Sequence, residues 1–449
     1  MSISRWLSLS VLVVVAGLTA VPCALAAGEV DVSVGEGGAV SVGSDPRSGR
    51  SLVVWGEAVP DGDGYVALDL HSRVIDEDGS AVGASRRIGG GAIPSMLFGG
   101  GGQMTAIAAD SRRQRQLVAW AAHKPGMGRT PCTPAPPVNP LFGDQPACAR
   151  VDTEIFIRLL DRAGRPLGSE LQVSDVGPPD RGEFAATSPT LAYDERLDTY
   201  LLVYTAALST DEHQGALFVQ RIKPSGYPDG PAAILKVLPQ QSSYGPATRL
   251  AADPRGGHLL VYSWGASDTT RGLFAQHLSA TGEPAGARWS LPTAAGGGAG
   301  SFELAFDRRR RRALLVSSTS APGSSGFQAQ QLRASGAPAT PPVTLRFGGG
   351  NGSVLVASDP KRGGWSYGFV RAAPRLVSRV YVQRADAAGR PRGTPRLVTS
   401  PDARALEPRL SATPGGTLLV GWSQQPLNCS AEACTAGAPD TVMARLIRP

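Results

Sequence analysis

Apolar and polar residues alternate along this chain in one phrase that occurs seven times. An apolar segment ends at an aspartate, a polar turn follows, and a second apolar run comes next, as in TLAYDERLDTYLLVY at residues 190–204. A variable loop, a third apolar run and a glycine-rich turn complete the phrase, as in ALFVQRIKPSGYPDG at residues 216–230. Short apolar runs between Gly, Pro and Asp turns are typical of β-strands, so each phrase predicts four short strands.

The repeated phrase predicts an all-β fold, a single seven-bladed β-propeller of four-stranded blades, because four strands in roughly 50 residues are typical of one blade. We call the aspartate that ends the first apolar segment of each phrase the marker. The later markers follow each other after 59, 54 and 52 residues, whereas spacings of 65 and 84 indicate inserted loops in the first two units. We call the predicted blades repeats one to seven. They are residues 39–88, 105–174, 188–238, 247–291, 301–346, 352–399 and 407–449.

Repeat seven offers only three apolar runs, whereas an unassigned apolar segment precedes repeat one. This segment, EVDVSV at residues 29–34, is predicted to pair as the outer strand of repeat seven. Such pairing closes the ring and leaves no exposed strand edge there.

The phrase D-x(6)-L-V-V-W, followed by R-x(5)-G-x-P-x-G, resembles the blade repeats of predicted secreted bacterial propeller proteins. The resemblance covers essentially all of residues 27–449. It implies the fold and export. No activity is assigned to those proteins, so the resemblance implies no catalytic residue.

Residues 1–26 are predicted to be a secretory signal peptide. Arg5 supplies a positive charge, an apolar stretch follows at residues 7–21, and Ala24-Leu25-Ala26 offers small residues for cleavage. A lipid anchor on Cys23 is the less favoured alternative, because proline precedes that cysteine. No later segment is apolar enough to span a membrane, so we expect a secreted or periplasmic monomer at the cell exterior.

The four remaining cysteines form two close pairs, Cys132 with Cys148 and Cys429 with Cys434. In an exported chain this pattern predicts two disulfides, each closing its own loop, although only proximity favours this pairing. The spacing CSAEAC does not fit a zinc site and no histidine lies near either pair. The sequence therefore predicts no metal and no cofactor.

An aspartate recurs where each first strand meets its turn. A carboxylate there can accept backbone N–H hydrogen bonds two or three residues further on, so we interpret these residues as structural. They are Asp45, Asp110, Asp194, Asp253, Asp307 and Asp359, and Thr413 takes the place in repeat seven.

The same turns carry 14 basic residues against eight acidic ones, in a chain of formal net charge +7. One hypothesis is that this basic face binds an anionic polysaccharide. The alternative is that exposed turns are simply hydrophilic. Without interleaved aromatic residues, nucleic acid is not an expected partner. The candidate binding residues are Arg112, Arg113, Arg308, Arg309, Arg310, Arg311 and Arg312.

The sequence contains no recognisable catalytic constellation. We therefore expect an exported non-catalytic binding or scaffold propeller rather than an enzyme, with an anionic glycan or an extracellular protein as its partner. The alternative is a glycan-active hydrolase or lyase whose site lies in the propeller channel, where paired carboxylates would favour it. The first strands carry little acid before their ends, with Glu303 as an isolated exception. A purely structural envelope protein is the third possibility.

Overall fold

The computed structural model describes residues 31–36, 38–60, 66–92, 105–123, 153–176, 185–209, 214–238, 247–264, 272–292, 301–321, 324–347, 354–372, 377–400, 404–425, 427–429, 434–436 and 441–448. The predicted signal peptide with Cys23, and the cysteines Cys132 and Cys148, lie outside these residues.

The described residues form an all-β structure of thirty strands. Asp31–Glu36 (β1) comes first. Five four-stranded antiparallel sheets follow, each with its strands paired in chain order and each formed by one repeat. Repeat one contains Gly38–Ser44 (β2), Ser51–Pro60 (β3), Val66–Ile75 (β4) and Ala81–Ala92 (β5). Repeat two contains Thr105–Asp110 (β6), Arg115–His123 (β7), Thr153–Leu160 (β8) and Leu171–Gln172 (β9).

The next three repeats follow the same plan. Repeat three contains Ala186–Asp194 (β10), Thr199–Ser209 (β11), Gln214–Ile222 (β12) and Ala233–Leu238 (β13). Repeat four contains Thr248–Ala252 (β14), His258–Trp264 (β15), Gly272–Leu278 (β16) and Trp289–Leu291 (β17). Repeat five contains Phe302–Asp307 (β18), Arg312–Ala321 (β19), Ser324–Arg333 (β20) and Val343–Leu345 (β21).

The strands of repeats six and seven, together with β1, form one eight-stranded sheet. Repeat six contains Val354–Ser358 (β22), Trp365–Ala372 (β23), Ser378–Ala385 (β24) and Pro391–Leu397 (β25). Repeat seven contains Arg404–Ala412 (β26), Leu418–Gln425 (β27) and Thr441–Ile447 (β30). A single parallel pairing, Ser378 with Arg404, connects the two repeats. The separate ribbon Leu427–Cys429 (β28) and Cys434–Ala436 (β29) places the backbone of Cys429 opposite that of Cys434.

The fourth strand beside repeat seven comes from the other end of the chain. β1 pairs antiparallel with β30, with Asp31 opposite Arg445 and Glu36 opposite Thr441. The first strands also contact one another in order from β2 to β26, and β26 contacts β2. Each buried apolar cluster of the described residues joins two neighbouring repeats. One of them joins Val40 and Trp55 of repeat one to Leu419 of repeat seven.

A tryptophan in the second strand packs on a glycine of the preceding sheet at two of these interfaces. A Cβ on Gly89 in β5 would lie 2.4 Å from Cζ2 of Trp120 in repeat two. A Cβ on Gly35 in β1 would likewise lie 2.4 Å from Cζ2 of Trp55 in repeat one. Since real Cβ atoms do not approach a ring so closely, both indoles require glycine. β1 therefore faces repeat one as β5 faces repeat two.

The marker aspartates lie at the hairpins that follow the first strands. Oδ1 of each accepts a hydrogen bond from the backbone N–H two residues further on, at 2.8–3.1 Å. All six are buried, with at most 7% of the residue exposed. In repeat seven Oγ1 of Thr413 accepts a hydrogen bond from the Thr417 N–H at 3.2 Å. A buried carboxylate at this position thus fixes the turn with hydrogen bonds that water cannot replace.

Replacing Asp194 by Ala should lower the free energy of unfolding by about 2 kcal/mol, because several backbone N–H groups would lose a charged acceptor. Oδ1 of Asp194 accepts from Arg196 and Leu197, and Oδ2 accepts from the Gly257 N–H of repeat four at 3.1 Å. The matched variant Asp194→Thr, which imitates Thr413, should lose less. Urea unfolding of the two variants tests this, and equal losses would show that the hydrogen bonds are not the cause.

Candidate functional site

The arginines that the sequence singled out lie on the hairpin turns, where most of them form ion pairs. Arg113 Nη1 lies 2.5 Å from Asp198 Oδ1, and Arg308 Nη1 lies 2.9 Å from Glu195 Oε1. Arg310 Nη1 lies 3.1 Å from Asp307 Oδ2, and Arg311 Nε lies 3.0 Å from Asp253 Oδ1. Arg309 Nη1 donates to the Lys361 carbonyl at 3.3 Å, Arg112 is exposed, and Arg312 begins β19. The structure thus distributes these arginines over several separate contacts. Hydrogen bonds from Arg113 also lower the pKa of Asp198 to about 2.

A different set of residues encloses a cavity of about 160 Å³ between the first strands. Every repeat contributes to this central cavity, and the lining residues lie three and four positions before the marker. They are Val42, Ala106, Ile107, Thr190, Leu191, Arg249, Leu250, Glu303, Leu355, Val356, Arg409 and Leu410. The position three before the marker is apolar in all seven repeats. The chemistry of the cavity therefore depends on the position four before it.

That position breaks the symmetry of the repeats. From repeat one to repeat seven it holds Ser41, Ala106, Thr190, Arg249, Glu303, Leu355 and Arg409. A position that only stabilised the strands would be filled alike in each copy. Here three charged residues point to a function that the repeat itself does not require.

Arg249 and Glu303 form a two-pronged ion pair in the wall of the central cavity. Arg249 Nε donates to Glu303 Oε2 at 2.8 Å and Nη2 donates to Oε1 at 2.7 Å, while Nη1 donates to the Thr248 carbonyl at 2.8 Å. Their side chains are only 14% and 22% exposed. Burial would by itself lower the pKa of Arg249, but the charge and hydrogen bonds of Glu303 hold that pKa above its ordinary value.

Arg409 and Thr190 add a second cation and a hydroxyl to the same cavity. Arg409 Nη1 donates to the Pro408 carbonyl at 3.0 Å, and Thr190 Oγ1 accepts from the Leu250 N–H at 3.2 Å. Among the lining side chains that the structure describes there are thus two guanidinium groups and one carboxylate. This excess of positive groups, partly shielded from water, favours an anionic ligand group.

The chemistry available to the central cavity is anion binding by Arg409 and proton transfer by Glu303. Among the side chains that the structure describes, no group of three or more His, Cys, Asp or Glu residues is arranged to hold a metal ion. Likewise, none of the described segments is a helix that could cross a membrane.

Sequence reasoning noted Glu303 as an isolated acid but missed Arg249, Arg409 and Thr190. The information was present, because all four residues occupy the same repeat position and that position varies more in chemical type than its neighbours. Aligning the seven copies on the marker and asking which column changes its charge would have found them.

No family model matches this chain, and no curated protein matches it. Among solved structures, one similar to this chain is an ulvan lyase, a polysaccharide lyase bound to a GlcA(1-4)Rha3S saccharide. Its identity is 9% and its TM-score 0.51, and the similarity covers 93% of this chain and 96% of the lyase chain. The Dos1 propeller has 11% identity, a TM-score of 0.43 and coverage of 92% and 94%. An α-L-arabinanase of Penicillium chrysogenum has 12% identity, a TM-score of 0.46 and coverage of 93% and 97%.

The fold is a β-propeller. The likeness to the ulvan lyase spans nearly all of both chains, and four-stranded antiparallel sheets are the blades of such a fold. At this low identity the likeness concerns the propeller fold alone.

Two expectations from the sequence are wrong. We expected a non-catalytic binding or scaffold propeller and not an enzyme, whereas the ulvan lyase, whose structure is similar over nearly its whole length, is an enzyme. This finding counts against the expectation that the propeller is non-catalytic. The expectation rested on the lack of a recognisable catalytic constellation in the sequence.

Proposed function

We propose that this chain is an exported enzyme that cleaves an acidic glycan at the central cavity of a closed, seven-bladed propeller. The observation that carries the proposal is the cluster of Arg249, Glu303 and Arg409 in a cavity to which every repeat contributes. The basic hairpin face and the cavity are different surfaces, and the proposal concerns the cavity.

The closed ring is supported by contacts between the two ends of the chain. β1 pairs with β30, β26 contacts β2, and Leu419 shares an apolar cluster with Val40 and Trp55. With β1 as its outer strand, repeat seven has four strands as the other repeats do. The proposal also includes export through residues 1–26 and a disulfide between Cys429 and Cys434. The disulfide is supported by the ribbon of β28 and β29, in which the backbones of these two cysteines lie opposite each other.

An acidic sugar fits the charge and the size of the central cavity. Arg409, together with Arg249, makes the lining positive, so that the carboxylate of a uronic acid is attracted to it. A volume of about 160 Å³ is smaller than the several hundred Å³ that whole drug-sized ligands occupy. It suits one sugar unit at a time.

Elimination suits the cavity better than hydrolysis. Hydrolysis of glycosidic bonds generally uses two carboxylates, whereas among the lining residues that the structure describes only Glu303 carries one. In an elimination Arg409 neutralises the uronate carboxylate, which makes the proton on C5 more acidic. Glu303 accepts that proton, the electron pair forms the C4–C5 double bond, and the C4–O bond breaks so that the leaving oxygen takes a proton from water. The similar ulvan lyase is also a polysaccharide lyase.

Incubation of residues 27–449 with uronate-containing and neutral polysaccharides tests the proposed function. We expect products with the ultraviolet absorbance of an unsaturated sugar from acidic glycans only. New reducing ends without this absorbance would indicate hydrolysis and contradict the elimination. Absence of any product or binding across the panel would contradict the proposed function itself.

Two cavity variants and one matched control locate the activity. Arg409→Met, and the paired change of Arg249→Met with Glu303→Leu, should each lower the activity by about 100-fold or more, since they remove anion binding or the base. Arg162→Met removes an arginine from an exposed turn outside the cavity and should leave the activity unchanged. Full activity in both cavity variants would place the reaction elsewhere.

A further inference from the structure

Polar side chains from distant repeats meet at the hairpin end of the propeller, one position after the marker. Ser111 of repeat two donates to Glu195 Oε1 of repeat three at 2.7 Å. Arg308 of repeat five donates from Nη1 to the same Oε1 at 2.9 Å, and its Nη2 lies 2.9 Å from Oε2. A single carboxylate thus connects three repeats.

The ion pair between Glu195 and Arg308 joins two repeats that do not adjoin each other. Repeats three and five are not neighbours, and the hairpin of repeat four, at residues 253–257, lies between them in the order of first strands. Hydrogen bonds from Arg308 lower the pKa of Glu195 to about 2 against the opposing effect of burial, and the charge of Arg47 in repeat one lowers it further. Groups from four repeats therefore converge at one end of the space between the first strands.

Small residues occupy the position of each first strand that lies between the charged position of the central cavity and the hairpin turn. The position two residues before the marker is Gly, Ala or Ser in every repeat, with Ala251 and Ala305 as examples. Glu303 lies in β18 and Arg308 begins the turn after it, five residues further on, which corresponds to at most about 16 Å of extended chain. Side chains of this size fill little of the space between the first strands, whereas Glu195 and Arg308 have long side chains and pair at its hairpin end.

We propose that the ion pair of Glu195 and Arg308 makes the substrate site blind at its hairpin end, so that the site accepts only the end of an acidic glycan chain. This inference rests on the proposed function and specifies its substrate as the uronate at the reducing end, because only there does C4 of the terminal sugar carry the rest of the chain as the leaving group. The glycan enters where the first strands begin, and the carboxylate of this uronate reaches Arg409. A chain in a blind site cannot pass through, so cleavage releases one short unit at a time.

The length distribution of early products from a long polyuronate tests this inference. For the unmodified protein we expect only the shortest unsaturated products from the first time point, with little fall in viscosity. The paired change of Glu195→Ala with Arg308→Ala should open the hairpin end, so that products of intermediate length appear at least several-fold more often. The pair is partly exposed, with side chains 28% and 42% accessible, so its loss should cost little stability.

A control variant separates this effect from the mere loss of a surface ion pair. Arg392→Ala breaks the exposed pair with Asp386 on an outer turn of repeat six and should leave the product lengths unchanged. Intermediate products from the unmodified protein would overturn the inference while leaving the proposed function intact. Identical products from the opened variant would overturn the role of the ion pair. If no acidic glycan is bound or cleaved, the proposed function fails and the inference fails with it.

Discussion

Replacing Glu303 by Leu is expected to lower the free energy of unfolding by about 3–5 kcal/mol, because the change leaves the guanidinium of Arg249 buried without a counter-charge. Both hydrogen bonds from Arg249 to Glu303 would be lost, and of the three hydrogen bonds described above Arg249 would keep the one to the Thr248 carbonyl. Urea unfolding at neutral pH measures the effect. We expect a lower midpoint with an unchanged slope, since the same surface is exposed on unfolding.

The paired change of Arg249→Met with Glu303→Leu serves as the control. Apolar residues of similar size replace a buried ion pair with little net change, so the double variant should unfold within about 1 kcal/mol of the unmodified protein. A double variant as unstable as Glu303→Leu would show that packing, rather than the unpaired charge, causes the loss. This result also justifies the use of the double variant to test activity, because its fold should remain intact.

Acid should destabilise the protein by about 3 kcal/mol through one buried histidine as the pH falls from about 6.5 to 4. His258 begins β15 and is fully buried, and burial lowers its pKa to about 4, although the charge of Asp194 partly offsets this. In this pH range the unfolded chain binds a proton at His258 that the folded protein does not bind. Unfolding therefore takes up a proton, and stability rises with pH across the window.

The variant His258→Leu should remove this pH dependence. Leu418 begins the corresponding strand of repeat seven and is also buried, so leucine is compatible with the position. Urea unfolding between pH 7.5 and 4 should show a shallower loss of stability for the variant. Glu195, with a pKa of about 2, adds its own loss only below about pH 4.5. An equal slope in both proteins would assign the acid sensitivity to other groups.

The strand plan could be predicted from the sequence because each repeat signals it locally. The phrase around Asp194 fixed a strand, a turn and a second strand, and the structure has β10 and β11 in those places. The pairing of the N-terminal segment with repeat seven was inferred from a missing strand, and in the described residues β1 pairs with β30 from Asp31 onward. The parallel pairing of Ser378 with Arg404 had no such signal.

The site was harder to predict because its contacts join residues far apart in sequence. A charge count treats Arg308 as an exposed cation, yet Glu195, which neutralises it, lies 113 residues away in a repeat that is not its neighbour. Similarly, the sequence leaves Glu303 isolated, and only the arrangement of the first strands brings Arg249 against it. Ion pairs of this kind follow from the three-dimensional order of the repeats and leave no local pattern.

The pairing of β1 with β30 also determines how the molecule would respond to mechanical load. Asp31, at the start of β1, lies opposite Arg445 near the end of β30, so the segments before β1 and after β30 leave the sheet at the same side. A force pulling these two segments apart would act on the ladder at one end and break its hydrogen bonds one after another. A force applied within the sheets would instead load many bonds at once. The pairing of β1 with β30 is therefore expected to be the first to break under such a load.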